Sequence, residues 1–323
     1  MRFKAPKPFL SRPVRVTSIQ YALRRVPHFE AFADQVESFV DVGDDYDTDL
    51  VVFPELITAQ LISCLPKGIE PAESMRELAE RYTDAYDNLF MRLARDYGRI
   101  IVAGSHPRFM DGQLMNVAGI FVPGHGPVLQ PKLHLTPTER KTWHYAPGHE
   151  LHVVDTDFGR FAATICYDTQ FPEVGRILAE NGVQILCVPY LTDDRRGWNR
   201  VTVCARARAV ENQIYVVTSG MVGSLPLINA LTAQYAQSGI FTPSDYFFHD
   251  NGVATEASVN TEMVAVADLD LALLDQARAD GAVLNHLDAA ADGLHVTFDG
   301  LVKVHHLPWL NREESTEAGK NLG

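Results

Sequence analysis

Cysteine is scarce in this chain, and the few present lack any spacing that would make them a scaffold. Cys64, Cys166, Cys187 and Cys204 form no CxxC pair and no zinc-like set, which argues against a disulfide framework and a structural metal. Positive charge is scarce as well. The 28 Lys and Arg stand against 41 Asp and Glu, a formal net charge of −13, so nucleic acid and anionic membrane are poor candidates for the main partner. No apolar run approaches the roughly 20 residues that span a bilayer. The first fifteen residues, MRFKAPKPFLSRPVR, are basic and proline-rich but contain no apolar core, and read as an arm over residues 1–13 rather than a secretory signal. No internal repeat or linker divides the rest.

What the chain does have is enough apolar residues, 46% of 323, to bury a large core. Strand-like and helix-like patterns alternate along it. A strand is expected over 14–21, a helix over 28–42, a strand ending at Glu55, and a long helix over 72–97. Strands follow at 99–105 and 116–122, with the turn PGHGP (123–127) leading into a hairpin partner that carries Lys132. Further on come a strand over 161–165, a helix over 173–181, a strand over 183–189 and a helix over 198–212. The strand 213–218, short strands and loops over 219–262, a strand over 263–268 and a helix over 271–279 complete the pattern. This alternation predicts one α/β domain over 14–295. The segment 296–323 opens apolar and aromatic (VTFDGLVKVHHLPWL) and ends polar, and reads as an extension that packs on the core or crosses to another subunit.

Three of the expected strands end in residues with chemistry. In FAATICYDTQFPE the small apolar residues 161–165 give way at Cys166 to a polar turn and then a helix. A thiol there lies at a strand end, near the backbone N–H groups of the next turn, which favour a thiolate and a neighbouring oxyanion. In TDLVVFPEL, Pro54 cannot extend a ladder, so Glu55 stands at the tip. A glutamate among apolar neighbours has its pKa raised toward the range of a general base. In VLQPKLHLTPTE, Lys132 occupies a similar edge. Singly, each has a plain structural reading: a core cysteine, a solvated Glu, a solvated Lys. Together they fall where α/β sheets gather their active sites.

In order and setting, Glu55 in VVFPEL, Lys132 in PKLHL and Cys166 in TICYDTQFPE resemble the Glu-Lys-Cys triad of the nitrilase, or carbon–nitrogen hydrolase, superfamily. WHYAPGHEL (143–151) resembles its segment before the nucleophile strand, and RARAVENQIYVV (206–217) its Arg-Ala-x-Glu-Asn helix and strand. The likeness covers roughly 14–270. The context KLHLTPTERKTW is most similar to the branch often fused to an N-acetyltransferase domain, and these 323 residues contain no such domain. The resemblance implies a four-layer α-β-β-α sandwich. It also implies a homodimer or higher homo-oligomer with no cofactor and a small-molecule amide or nitrile as substrate.

The same resemblance assigns Cys166 as nucleophile, Glu55 as base and Lys132 as oxyanion partner together with the backbone N–H of Tyr167. Glu139 stands near the family's second glutamate, and by its own context can equally cap a helix starting near Thr136 or Thr138. Tyr145, Tyr167, Tyr190 and Arg195 are the substrate-binding candidates. Were Arg195 and Arg196 to face the pocket, they would favour an acidic substrate such as an ω-amide of a dicarboxylate. The sequence Cys-Tyr-Asp resembles amidase-type members, whereas typical nitrilases carry Cys-Trp-Glu. A carboxamide hydrolase is therefore expected. A nitrilase, an N-carbamoyl amide hydrolase, an acyltransferase and an idle scaffold on the same fold are the alternatives. A catalytic thiol suits a reducing, cytoplasmic setting. His144, His149 and His152 flank a Pro-Gly turn without supporting carboxylates, so no metal site is expected. Asp168 and Arg176 are expected to pair around the elbow.

Overall fold

The computed structural model describes residues 12–157, 159–228 and 231–291. Most of the expected N-terminal arm and all of the expected extension 296–323 lie outside the described residues. One compact unit runs to His286 and a second begins at Leu287. The described part of the second is the end of the helix Asn285–Ala291.

The strand-helix alternation of the N-terminal third produces a parallel core. β1 (Val14–Leu23), β2 (Leu50–Val52) and β3 (Ile100–Met110) lie side by side and parallel, linked through α1 (Phe29–Asp45) and α2 (Pro71–Tyr97). β4 (Gln113–Phe121) and β5 (Val128–Pro131) continue this half antiparallel, and β12 (Met263–Leu269) closes its other edge against β1. The second half runs β6 (Val153–Thr156), β7 (Gly159–Ala163), β8 (Ile185–Tyr190), β9 (Tyr215–Gly223), β10 (Gly239–Phe241) and β11 (Val253–Glu256). Tyr21–Leu23 at the end of β1 pair with Met221–Gly223 of β9, so the two halves join into one nearly closed sheet.

Side chains alternate across each strand with a period of two, and that sorts the layers. Val14, Val16, Leu50, Val52, Ile100 and Val102 share a core with Phe161, Ile185 and Val216 of the other half. Val51, Phe53, Ile101, Ala103 and Phe121 turn the opposite way, toward Phe32, Val36, Leu78 and Phe90 of α1 and α2. Outside the second half, α4 (Pro172–Glu180) and α5 (Arg195–Asn212) contribute Val174, Leu178, Val201, Ala205 and Ala209. The order is helix, sheet, sheet, helix. No described helix is long and apolar enough to cross a membrane.

Two local departures from the sequence expectation matter for the site. The β3–β4 hairpin is longer than 99–105 with 116–122, because Asp111 and Gly112 (φ 50° and 76°) both take the left-handed conformation of a tight two-residue turn. The second departure lies inside β3, where the register with β4 shifts between Val102 and Ser105. Gly104 there has φ +68°, and a Cβ on it would lie 1.9 Å from the Pro54 carbonyl oxygen. Only glycine permits that approach, which lets Ser105 Oγ accept from the Leu56 N–H at 2.8 Å and fixes the corner carrying Glu55.

Candidate active site

β2, β5, β7 and β8 run in the same sense, so their carboxyl ends share one edge of the fold. Glu55 follows β2, Lys132 follows β5, Cys166 follows β7 and Leu191 follows β8. The four segments meet there. Lys132 Nζ lies 2.7 Å from Glu55 Oε1, and 2.7 and 2.8 Å from the two carboxylate oxygens of Glu139. Asn116 of β4 donates its side-chain N–H to both carboxylates, at 2.9 Å to Glu55 and 3.0 Å to Glu139. The Leu191 N–H holds the other Glu55 oxygen at 2.9 Å, and the Cys166 thiol donates to the Leu191 carbonyl at 3.8 Å. All three charged side chains are buried, Lys132 to 1% exposure.

Local sequence explains each placement. Pro137 starts the short helix α3 (Pro137–Lys141) at a position where its missing N–H costs nothing, and Thr136 caps it. Glu139 returns its carboxylate to the Thr136 N–H (2.9 Å) and Oγ1 (2.8 Å) while its own N–H bonds Thr136 Oγ1. That reciprocal box orients the carboxylate toward Lys132. Glu139 therefore caps α3, as its sequence context suggested, and also reaches Lys132. Cys166 has φ +47°, an uncommon conformation for a residue with a Cβ, at the first residue of a 3₁₀ turn over Cys166–Gln170.

Asp168 holds that turn. Its carboxylate accepts from Ile165 N–H (3.2 Å) beside the cysteine, and from Leu133 N–H (3.3 Å) and His134 N–H (2.7 Å) beside the lysine. His134 Nδ1 lies 3.0 Å from the same carboxylate, and its ring stacks on Phe171 with centroids 3.5 Å apart. The expected pairing of Asp168 with Arg176 does not form. Arg176 instead donates to the Glu211 carbonyl at 2.9 Å, because the backbone donors of two strands converge on Asp168 first.

The electrostatics follow from a dry cluster with two carboxylates and one ammonium. Burial pulls the Lys132 pKa down, but Glu139 and Glu55 outweigh it and hold the ammonium well above its usual range. Burial and the neighbouring Glu139 push Glu55 up, against the pull of Lys132. For Glu139 burial is offset by Lys132, Thr136 and Asn116, and it stays below its usual value. Burial and Glu55 push the Cys166 thiol well up. The resting site is therefore a thiol beside a carboxylate of raised basicity, with a fixed positive charge next to both.

Cys166, Glu55, Lys132 and Glu139 open on a cavity of about 330 Å³, near the small end of the usual range for ligand pockets. Trp143, Tyr167, Gln170, Thr138 and Leu191 form much of its wall, and Asp193 and Arg200 also line it.

Residues 15–279 match the carbon-nitrogen hydrolase family. The chain belongs to that family. This carbon–nitrogen hydrolase is 44% identical over 286 residues to the probable hydrolase YhcX of Bacillus subtilis, an alignment covering 88% of this chain and 55% of the relative. It is 30% identical over 151 residues to an omega-amidase of Xenopus laevis, covering 44% of this chain and 55% of that one. It thus spans little more than half the length of either curated relative. Its fold is similar to the crystal structure of Saccharomyces cerevisiae Nit3, a member of branch 10 of the nitrilase superfamily. The TM-score is 0.70 at 24% identity, over 85% of this chain and 96% of that one.

Within this carbon–nitrogen hydrolase the substrate-binding candidates separate. Tyr167 lines the Cys166 cavity. Tyr190 does not: it is fully buried, its ring fills the space over Gly220, and its hydroxyl accepts from the Gln237 N–H at 3.1 Å. Tyr145 is buried beside the cluster, its N–H bonding the Glu139 carbonyl at 3.0 Å. It lines a neighbouring cavity of about 490 Å³ instead. Arg195 and Arg196 are exposed at the start of α5, and Arg196 pairs with the helix cap Asp194 at 2.8 Å. The helix begins at Arg195 rather than near residue 198, and its 3.6-residue period turns Gly197, Arg200 and Val201 toward the cavity. Arg200 and Asn116 were not singled out by sequence. A buried Asn in the apolar run NVAGIFV was the one available signal for Asn116. His144, His149 and His152 form no metal-binding group, and no such group exists among the described residues.

Proposed function

We propose that this chain hydrolyses a carboxamide to an acid plus ammonia or an amine through a thioester on Cys166. The observation that carries this reading is the contact of Lys132 Nζ with Glu55 and Glu139 at 2.7 Å, on the cavity that Cys166 lines. Because the thiol is held protonated at rest, it needs a base. Glu55, made more basic by burial, takes the proton as Sγ bonds to the amide carbon. The carbonyl oxygen becomes an oxyanion, met by the Lys132 ammonium and the Tyr167 N–H. One such donor typically contributes about 3 kcal/mol. As the C–N bond breaks, Glu55 returns its proton to nitrogen and the amine departs. Water then attacks the thioester, Glu55 takes its proton, and the acid leaves as the thiol re-forms. Glu139 stays ionised throughout and fixes the lysine.

Cys166-Tyr167-Asp168 supports an amide over a nitrile substrate, and the omega-amidase likeness points the same way. The intact triad counts against an idle scaffold. The branch often fused to an N-acetyltransferase domain is a reading that rests on KLHLTPTERKTW alone. A homo-oligomer is the assembly that the family resemblance implies for this chain. A reduced thiol suits the cytoplasm. Ammonia release from aliphatic, aromatic and ω-dicarboxylate amides and matching nitriles, with Cys166→Ala beside the wild type, tests the reading. Amide turnover that vanishes in the variant, with an acyl adduct on Cys166 by intact mass, is the expected result. Turnover of nitriles alone overturns the amidase assignment, and silence with no adduct overturns the hydrolase assignment.

A further inference from the structure

Two charged side chains of the cavity wall remain unaccounted for by the chemistry. Arg200 projects from the cavity-facing stripe of α5, and Asp193 comes from the loop just ahead of that helix's cap, Asp194. Both are exposed to the opening, and among the described residues neither side chain makes an ion pair or hydrogen bond. Their nearest charged neighbours in sequence behave otherwise: Asp194 and Arg196 bond one another at 2.8 Å.

We propose that Arg200 and Asp193 select a zwitterionic amide, one whose far end carries both a carboxylate and an ammonium group. The proposal rests on the hydrolase reading for its reactive end and extends it to substrate class. Charge balance decides between the possibilities. Lys132 is already matched by Glu55 and Glu139, which leaves the catalytic end with one surplus negative charge. A substrate bearing only a carboxylate gains Arg200 but meets that surplus and Asp193. A substrate bearing only an ammonium gains Asp193 and the surplus negative charge, but meets Arg200 and leaves that guanidinium without a partner. A zwitterion satisfies both wall charges and adds no net charge to the cavity. The guanidinium takes the carboxylate through two parallel N–H bonds and the Asp193 carboxylate takes the ammonium. The cavity of about 330 Å³ suits a small metabolite.

Four amides with the same reactive end separate the contributions: glutamine, glutaric acid monoamide, 4-aminobutanamide and butanamide. Calorimetric binding to the full chain carrying Cys166→Ala reads affinity without turnover. Turnover of the same four by the wild type reads the hydrolase assignment separately. Glutamine is expected to bind about tenfold or more tightly than either singly charged analogue, the scale of one charge-assisted contact. Adding Arg200→Gln or Asp193→Asn should erase that advantage, while Arg196→Gln, outside the cavity, should leave it. Equal binding of all four, no detectable binding of glutamine, or an advantage that survives Arg200→Gln overturns the proposal. Loss of turnover for all four in the wild type, with the binding order intact, overturns only the hydrolase reading.

Discussion

Replacing Lys132 by Met tests the charge cluster at its centre. The ammonium is 1% exposed and is shared by two carboxylates at 2.7 Å. Methionine keeps the length and the packing but removes the charge. Breaking a buried pair by deleting one partner typically costs about 3–5 kcal/mol, because the remaining charge is left uncompensated. Here two buried carboxylates are left facing each other with no cation between them, bridged by the Asn116 amide, so the upper part of that range is expected at pH 7. The pH dependence carries the sharper signature. In the wild type Glu139 is held below its usual pKa, so its contribution is present above about pH 4.5 and is lost as pH falls. In Lys132→Met the carboxyls are raised instead, and the folded state then binds more protons than the unfolded one. Stability lost to the substitution should shrink toward pH 4–5 and grow toward pH 7. Chemical denaturation across that range measures it, and adding Glu139→Gln to Lys132→Met should restore more than half of the loss. A Lys132→Met protein within about 1 kcal/mol of wild type at pH 7, or one whose deficit is flat with pH, would refute this account of the cluster.

Asp168→Ala removes the acceptor shared by three backbone N–H groups and His134. It should lower stability by about 3 kcal/mol in denaturation and reduce kcat more than it raises KM. Gly104→Ala should be still less tolerated, since its Cβ would stand 1.9 Å from the Pro54 carbonyl oxygen at φ +68°; soluble yield and Tm report it. Burial holds His106 neutral, its pKa pushed down to about 3. The unfolded chain therefore binds the extra proton, and stability should fall as pH drops below about 6.5, a limb that a neutral His106→Gln should flatten. Thiolate absorbance of the resting enzyme should show no Cys166 titration below pH 9, identified by its difference from Cys166→Ala.

The strand ends that carry Glu55, Lys132 and Cys166 were legible because apolar runs stop abruptly at Pro54, Pro131 and Ile165. What those residues touch was less so. Lys132 and Glu55 are 77 positions apart in the chain, and only the register of β2, β3, β4 and β5 brings them together. The role of Asn116 was hidden for the same reason: its polar side chain in an apolar run was a signal, but its partners lie across the sheet. Glu139 was half legible, since the box with Thr136 is local but the turn of its carboxylate toward Lys132 is not. The arginines show how a small boundary error propagates. Starting α5 three residues late left Arg195 in an imagined loop, whereas one helical phase set at Asp194 sends it outward and brings Arg200 in. Tyr190 looked like a pocket residue at the tip of a strand. The missing side chain of Gly220 is what draws its ring into the core.

The pairing of the first strand with the last has a consequence for how the protein is made. Val14 faces Leu269 and Gln20 faces Met263, so the edge of β1 waits for a partner some 250 residues later in synthesis. At roughly 5–20 residues per second, a ribosome needs on the order of ten seconds or more to supply it. During that interval β1 presents unpaired backbone N–H and C=O groups beside a half-built sheet, a template for wrong neighbours. The candidate catalytic residues Glu55, Lys132, Glu139 and Cys166 are translated long before the nearly closed sheet that holds them can form. Closure of the sheet is thus a late event that rests on contacts far apart in the chain, and its vulnerable period is the wait for β12.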